Sequence, residues 1–158
     1  MRLPGILHDT AGVDSDDWYT PPYIIEALGL TYDLDPCSPP GGIPWIPALK
    51  VFTEADDGLL QPWVGRVWLN PPYSAPWPWV KRLRDHGNGI ALVPGDSSTA
   101  GWHESITTAT AVCFLRHRVT FVRLGNDNVT SARFPSVLAA WGDECARAVR
   151  DSGLGWVP

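Results

Sequence analysis

The sequence predicts a single α/β domain: a mainly parallel sheet with helices on both faces and an antiparallel hairpin at one edge. Three observations lead there. Short apolar runs alternate with helical segments of about ten residues, the pattern of strands joined by crossover helices. Several of those runs stop at a polar residue next to proline, as in Asp35-Pro36 and Asn70-Pro71. The last two runs have no helical segment between them, which leaves an antiparallel pair.

Taken in order, residues 1–16 show no periodicity and read as a flexible lead-in to a domain over 17–158. Thr20 is placed to cap a helix with Pro21 at its first position, continuing over 23–28 and ending at Gly29. Residues 30–34 form a strand closing on Asp35-Pro36-Cys37-Ser38, and 36–47 a Pro- and Gly-rich loop. Val51-Phe52 reads as a strand fragment and Asp56-Asp57-Gly58 as a turn. Residues 64–69 make a strand that ends at Asn70. A helix over 76–86 comes next, with Trp79, Val80 and Leu83 on one face. A strand over 89–93 stops at Pro94. Thr99 caps a helix over 100–109, and a strand covers 111–115. Strands over 119–122 and 137–141 flank a polar loop at 123–135. Asp143 caps a last helix over 144–151, with Gly153 beyond it.

At 158 residues, 44% hydrophobic and 18% charged, the chain has the makings of one globular domain and not of a disordered one. Nine tryptophans and sixteen prolines imply aromatic walls and stiff loops around short elements. Cys37, Cys113 and Cys145 are odd in number and far apart, and His8, His86, His103 and His117 lack ligand spacing, so neither a disulfide framework nor a metal is expected. No apolar run nears the roughly 20 residues that cross a bilayer. The opening residues lack a signal-peptide core, which points to the cytoplasm.

The net charge of −5 excludes a generic nucleic-acid binder, yet it is unevenly spread. Residues 1–60 hold ten acids against two bases, and residues 61–158 hold ten bases against seven acids. The first half suits a cationic ligand and the second a phosphate backbone, unless both are ordinary solvated surface.

The most informative stretch is Val67-Trp68-Leu69-Asn70-Pro71-Pro72-Tyr73-Ser74. Prolines cannot donate to a strand ladder, so Asn70 is left at the carboxyl end of an apolar strand, the edge where open α/β sheets bind ligands. The two prolines stiffen the loop after Asn70, which presents an amide, outward carbonyls and an aromatic ring. That set suits a planar base and its amino group. If the Asn70 side-chain oxygen and the Pro71 carbonyl each accept one amino hydrogen, the nitrogen lone pair is localised for attack. Positioning and electrostatics then supply the rate. Pro72 has no N–H to compete for the same space. Tyr73 supplies the ring that can pack against such a base. Asp96, beside Pro94-Gly95, reads equally as a site or a turn residue.

The wider pattern resembles a known family. It runs Trp18-Tyr19-Thr20-Pro21-Pro22, Asp33-Leu34-Asp35-Pro36-Cys37-Ser38, Asp57-Gly58-Leu59 with Trp63, and Trp68-Leu69-Asn70-Pro71-Pro72-Tyr73-Ser74. It continues through Leu92-Val93-Pro94, Trp102-His103 and Phe114-Leu115-Arg116-His117-Arg118-Val119-Thr120-Phe121. In that order it is similar to the compact Dam-like DNA adenine methyltransferases often carried by bacteriophages, over residues 17–141. The resemblance implies a Rossmann-like methyltransferase sheet, S-adenosylmethionine as methyl donor and a flipped adenine of DNA as acceptor, methylated at N6. It implies Asn70, Pro71, Pro72 and Tyr73 as catalytic residues. It also implies that Trp18, Thr20 and Pro21 lie by the methionine part of the cofactor, with Thr20 and Pro21 in contact with it. Asp35 would lie near its ribose or amino group, Pro36 and Cys37 in the adjoining loop, and Asn70 beside it. Asp57 is either a partner of the cofactor adenine or ribose, or a plain turn residue.

The chain departs from the Phe-x-Gly-x-Gly loop of many methyltransferases, carrying Asp35-Pro36-Cys37-Ser38 instead, a form that the resembling family shares. It has no separate target-recognition domain, which leaves selectivity to loops such as 39–48 and 123–135. Arg116, Arg118, Arg123 and Arg133 are candidate phosphate contacts, which position DNA without reading it. Lys81, Arg82 and Arg84 are further candidates, read in preference as an ordinary solvated helix face. Asn-Pro-Pro-Tyr is shared with protein-glutamine and some RNA methyltransferases, so those acceptors stay open, as does a module that binds without turnover.

Overall fold

In the computed structural model, which describes residues 18–125 and 129–158, the apolar runs become nine strands. They are β1 (Tyr32–Asp35), β2 (Ala48–Val51), β3 (Val67–Leu69), β4 (Gly89–Pro94), β5 (Ala111–Leu115), β6 (Thr120–Val122), β7 (Val129–Ser131), β8 (Ser136–Trp141) and β9 (Gly155–Trp156). The lead-in expected over 1–16 lies outside the described residues, as do three residues of the loop expected over 123–135. Seven strands form one sheet in the order β2-β1-β3-β4-β8-β5-β9, while β6 and β7 make a separate two-stranded ribbon. β1, β2, β3 and β4 pair in parallel; β8 is antiparallel to both β4 and β5, and β9 to β5.

The strands are short, but their period-two alternation divides the interior cleanly. Val67 and Leu69 enter one core and Trp68 the other; Ala91 and Val93 part in the same way from Ile90 and Leu92. Along β8, Val137, Ala139 and Trp141 face one side while Leu138 and Ala140 face the other. Helices α1 (Pro22–Leu28) and α4 (Asp143–Asp151) cover one face through Ile24, Ile25, Leu28, Cys145, Ala146 and Val149. Helices α2 (Trp77–His86) and α3 (Ala100–Ser105) cover the other through Val80, Leu83 and Trp102. The fold class is therefore the one the sequence predicts.

Several details differ. The antiparallel hairpin is the detached β6–β7 ribbon, and not a pairing of β6 with β8. Every residue of β8 is buried and none is charged, so the strand has two apolar faces to cover and takes an interior place. Thr20 does not cap α1. Pro21 holds the cap position with no side-chain bond and Pro22 is the first helical residue, because Thr20 itself is buried and its carbonyl accepts from Trp45. Asp143 lies inside α4, preceded by Gly142 at φ 93°. Residues 106–108 tighten to a 3₁₀ turn after α3, whose Thr99 cap accepts the Trp102 N–H. The sequence pattern does not reveal β7 and β9, and it places β2 too late.

The crossovers also depart from the helical pattern around β2. Residues 36–47 run from β1 to β2 as a loop that buries Ile43 and Ile46 on the α1–α4 face. The return to β3 buries Phe52 and Trp63 on the opposite face. Apolar loop residues thus do the covering that a helix does elsewhere. Among the described residues, no helix is long and apolar enough to cross a membrane.

Leu138 is fully buried on a strand flanked on both sides, with no room to collapse. Leu138→Ala should lower the unfolding free energy by about 2–5 kcal/mol in urea denaturation. A loss within experimental error would mean that β8 is not an interior strand.

Candidate functional site

From β1 the chain crosses to β2 on one side, and from β3 it crosses to β4 on the other. The carboxyl ends of β1 and β3 are neighbours whose connections diverge, which opens a crevice between them. Asp35-Pro36-Cys37 leaves β1 there and Asn70-Pro71-Pro72-Tyr73 leaves β3. The two segments that the sequence marks out therefore flank one switch point. Pro94-Gly95-Asp96 leaves β4 next along the same edge.

Pro71 is buried, while Asn70, Pro72 and Tyr73 are half-buried. The Pro72 carbonyl accepts the Ala75 N–H at 3.1 Å, so the chain turns immediately toward α2. No hydrogen bond is made to the Asn70 side-chain amide or to the Pro71 carbonyl among the described residues. Two acceptors thus stand open beside the crevice. Tyr73 is more constrained than a free stacking ring: its hydroxyl is 3.2 Å from Ser136 Oγ, and its ring meets Phe121 edge-on with centroids 5.5 Å apart. Burial pushes the Tyr73 hydroxyl pKa well above the ordinary phenol value, with the Ser136 bond acting the other way, so it stays protonated.

Across the crevice, Asp35 is buried, and among the described residues its carboxylate accepts only the Cys37 N–H, at 3.1 Å. No cationic side chain pairs with it among the described residues. Desolvation pushes its pKa up to about 7, against the smaller opposing effect of the Cys37 bond. The loop at 57–59 lies directly against it: a Cβ on Gly58 would stand 2.1 Å from the Pro36 carbonyl oxygen, so only glycine fits that approach. Asp57 is exposed and takes φ 52°, closing the 3₁₀ turn Glu54–Asp56. The capping carboxylate there is Asp56, which accepts the Thr53 N–H.

Thr20 and Pro21 are buried, and the Thr20 hydroxyl has no hydrogen-bond partner among the described residues. Trp45 Nε1 donates to the Thr20 carbonyl at 2.9 Å, tying this segment to the loop after β1. Tyr19 pairs with Val122 of β6 through bonds of 2.8 and 3.0 Å, tying it to the ribbon that carries Phe121. Trp18 lies beneath the Arg123 guanidinium, 4.9 Å from ring centre to Cζ. Three predicted segments are thereby brought together; Phe121 joins them from the last segment of the family-like pattern, and Trp45 and Ser136 join them unforeseen. Ser136 did carry a signal: it is a lone hydroxyl opening a strand otherwise wholly apolar.

The candidate phosphate contacts divide. Arg118 is spent on the Ala132 and Arg133 carbonyls, at 3.2 and 2.6 Å, closing the base of the ribbon. Arg123 is engaged with Trp18, and Arg133 lies over Phe134. Arg116 is exposed beside them. Arg82 binds the Leu59 and Gln61 carbonyls, Lys81 pairs with Glu104, and Arg84 with Asp85, so that helix face is structural. Asp96 accepts from the Ser98 N–H and hydroxyl, which lowers its pKa; it is a turn residue. Among the described residues, no group of three or more His, Cys, Asp or Glu is placed to hold a metal.

The model of the family described as DNA N-6-adenine-methyltransferase (Dam) matches residues 8–145. A DNA N-6-adenine-methyltransferase of Escherichia phage T1 is 32% identical over 152 residues, covering 90% of this chain and 60% of that protein. One of Haemophilus phage HP1 is 27% identical over 126 residues, covering 72% of this chain and 70% of that protein. The chain thus spans about three-fifths of the length of the T1 relative. No solved structure matches.

The lone buried carboxylate makes a prediction about stability. In the unfolded chain Asp35 loses its proton near its ordinary pKa, about 3.9, whereas the folded protein keeps it up to about 7. Its contribution to stability is full below about pH 4 and lost as pH rises through 7. Asp35→Asn should therefore gain on the parent protein between pH 4 and 8, by on the order of 4 kcal/mol in denaturant titrations. Parallel pH profiles for the two proteins would show that Asp35 is not held protonated.

Proposed function

Because the chain belongs to the DNA N-6-adenine-methyltransferase (Dam) family, we propose that it transfers a methyl group from S-adenosylmethionine to the exocyclic N6 of an adenine in DNA, as one domain over residues 17–158 working in the cytoplasm. The observation that carries this reading is the pair of open acceptors at Asn70 and Pro71 facing, across a switch point, a buried carboxylate with no cationic partner among the described residues.

The residues present suit the methyl donor. Among the described residues Asp35 lacks a positive partner and the Thr20 hydroxyl a hydrogen-bond partner, and an unpaired buried polar group costs about 1–3 kcal/mol until a ligand supplies one. S-adenosylmethionine carries an ammonium, a sulfonium and ribose hydroxyls, and when bound supplies an electrophilic methyl group. Thr20 and Pro21 hold its methionine end, with Trp18 buttressing that segment through Arg123. Asp35, with Pro36 and Cys37 backbone groups, holds the amino group or ribose. Asp57 at the loop's rim is open to the ribose or adenine.

Toward the acceptor, Asn70 Oδ1 and the Pro71 carbonyl each take one hydrogen bond from the adenine amino group. The nitrogen lone pair is otherwise delocalised into the ring, and this pairing turns it toward the methyl group. Pro72 leaves the carbonyl side clear of competing donors. Tyr73, protonated and held upright, offers its open ring surface to the flipped base. Asn70 is no base, so the proton released from N6 leaves to water. Arg116 and Arg133 reach phosphates from the exposed margin, and Arg118 and Arg123 serve DNA binding by holding the ribbon in place.

Two outcomes are expected. With methyl-labelled S-adenosylmethionine and unmethylated duplex DNA, label appears in N6-methyladenine after digestion to nucleosides, and Asn70→Ala lowers the rate by about 100- to 1,000-fold, the scale for losing one preorganised polar group. Label found only in RNA or protein glutamine would move the acceptor, and an undiminished Asn70→Ala would remove Asn70 from catalysis. Separately, a cation bound beside Asp35 favours its ionised form, so affinity for S-adenosylmethionine should rise between pH 5 and 8 with release of a proton. Calorimetry in buffers of different ionisation enthalpy reads that proton; no buffer dependence near pH 6 would place the cation elsewhere.

A further inference from the structure

The Tyr73 hydroxyl and Ser136 Oγ form a part-buried contact that adenine methylation does not by itself require. β8 reads Ser-Val-Leu-Ala-Ala-Trp, with its six residues buried and one hydroxyl at its start. Ser136 stands opposite Pro94, the last residue of β4. Its side chain therefore reaches the site from a strand two positions removed from β3. Ser136 is 2% exposed, and its Oγ lies 3.2 Å from the Tyr73 hydroxyl. The Tyr73 ring also meets the Phe121 ring at an interplanar angle of 83°, with centroids 5.5 Å apart. A tyrosine side chain turns about two bonds. A bond at the hydroxyl together with an edge contact on the ring fixes both. The loop bearing Tyr73 is itself pinned by Pro71 and Pro72.

We propose that Ser136 is a positioning residue for the acceptor base: through the Tyr73 hydroxyl it holds the tyrosine ring at the angle in which its open face receives the flipped adenine. The inference rests on the proposed function. It goes beyond it in assigning part of the acceptor subsite to β8, a strand outside every motif in the sequence. Since the ring is oriented before DNA arrives, the entropy of ordering it is not charged to base binding. Ser136 touches neither cofactor nor reacting atoms, so its loss should leave the methyl-donor site unchanged.

The test is a double-mutant cycle on the full chain with Ser136→Ala, Tyr73→Phe and the pair. Each single variant should raise KM for DNA or lower kcat by about three- to tenfold, the range for one hydrogen bond. The affinity for S-adenosylmethionine by calorimetry should not change. The double variant should be no worse than either single one, because both remove the same bond. Ser136→Thr, which keeps a hydroxyl, should recover most of the activity. Wild-type activity in Ser136→Ala, or effects that multiply in the double variant, would overturn the proposal. So would equal losses of cofactor and DNA binding. A readout independent of catalysis is ¹⁹F NMR of 3-fluorotyrosine protein, in which the Tyr73 resonance is identified by its absence from Tyr73→Phe. Ser136→Ala should shift or broaden that resonance; an unmoved one refutes the contact. Should the parent protein transfer no methyl group to DNA, the functional reading fails on that result alone, while the resonance still decides the Ser136 contact.

Discussion

The structure turns on where β3 is made to stop. A three-residue strand, Val67–Leu69, is buried on both faces and runs into two prolines that cannot donate to a neighbouring strand. Asn70 must therefore leave the sheet next to the end of β1, at the one place where the chain's connections diverge to opposite sides. Everything assigned to the acceptor side depends on that exit. The acceptors on Asn70 and Pro71 stay open because no strand or helix continues to use them. The turn at Pro72 puts Tyr73 within reach of β8.

Around this exit the site is held by contacts between distant segments and not by one continuous motif. Trp45 joins the Thr20 segment to the β1 loop, Tyr19 joins it to β6, Phe121 of β6 meets Tyr73, and Tyr73 reaches Ser136. Gly58 admits the loop at 57–59 to within van der Waals distance of Pro36. The match to the DNA N-6-adenine-methyltransferase (Dam) family runs through these segments, including β6 and all of β8. A site assembled this way leaves Asp35 and Thr20 with unmet polar demand among the described residues, which the proposed S-adenosylmethionine would meet.

Much of this was legible in the chain itself, and the limits have physical causes. Proline and glycine act locally, so the end of β3, the stop of α1 at Gly29 and the loop after β1 could be read one residue at a time. Period-two alternation in such short strands separates the two cores only once neighbours are known. The position of β8 between β4 and β5 was hidden for that reason: its apolar run shows that it is buried, not beside which strands. The charged residues misled most. Arg118, Arg123 and Arg82 look like a basic surface in sequence, yet carbonyls and aromatic rings take up their guanidinium groups. Ser136 was legible only as an oddity, because its meaning depends on a tyrosine sixty-three residues away.

The central claim is that the β1–β3 switch point holds methyl donor and adenine amino group together. A crystal structure with a non-reactive S-adenosylmethionine analogue and an adenine-containing oligonucleotide tests it most directly. The analogue should lie against Asp35 and Thr20, with the adenine N6 within hydrogen-bonding distance, about 3 Å, of both Asn70 Oδ1 and the Pro71 carbonyl. An analogue bound away from Asp35, or an adenine whose amino group is held by other residues, would contradict it.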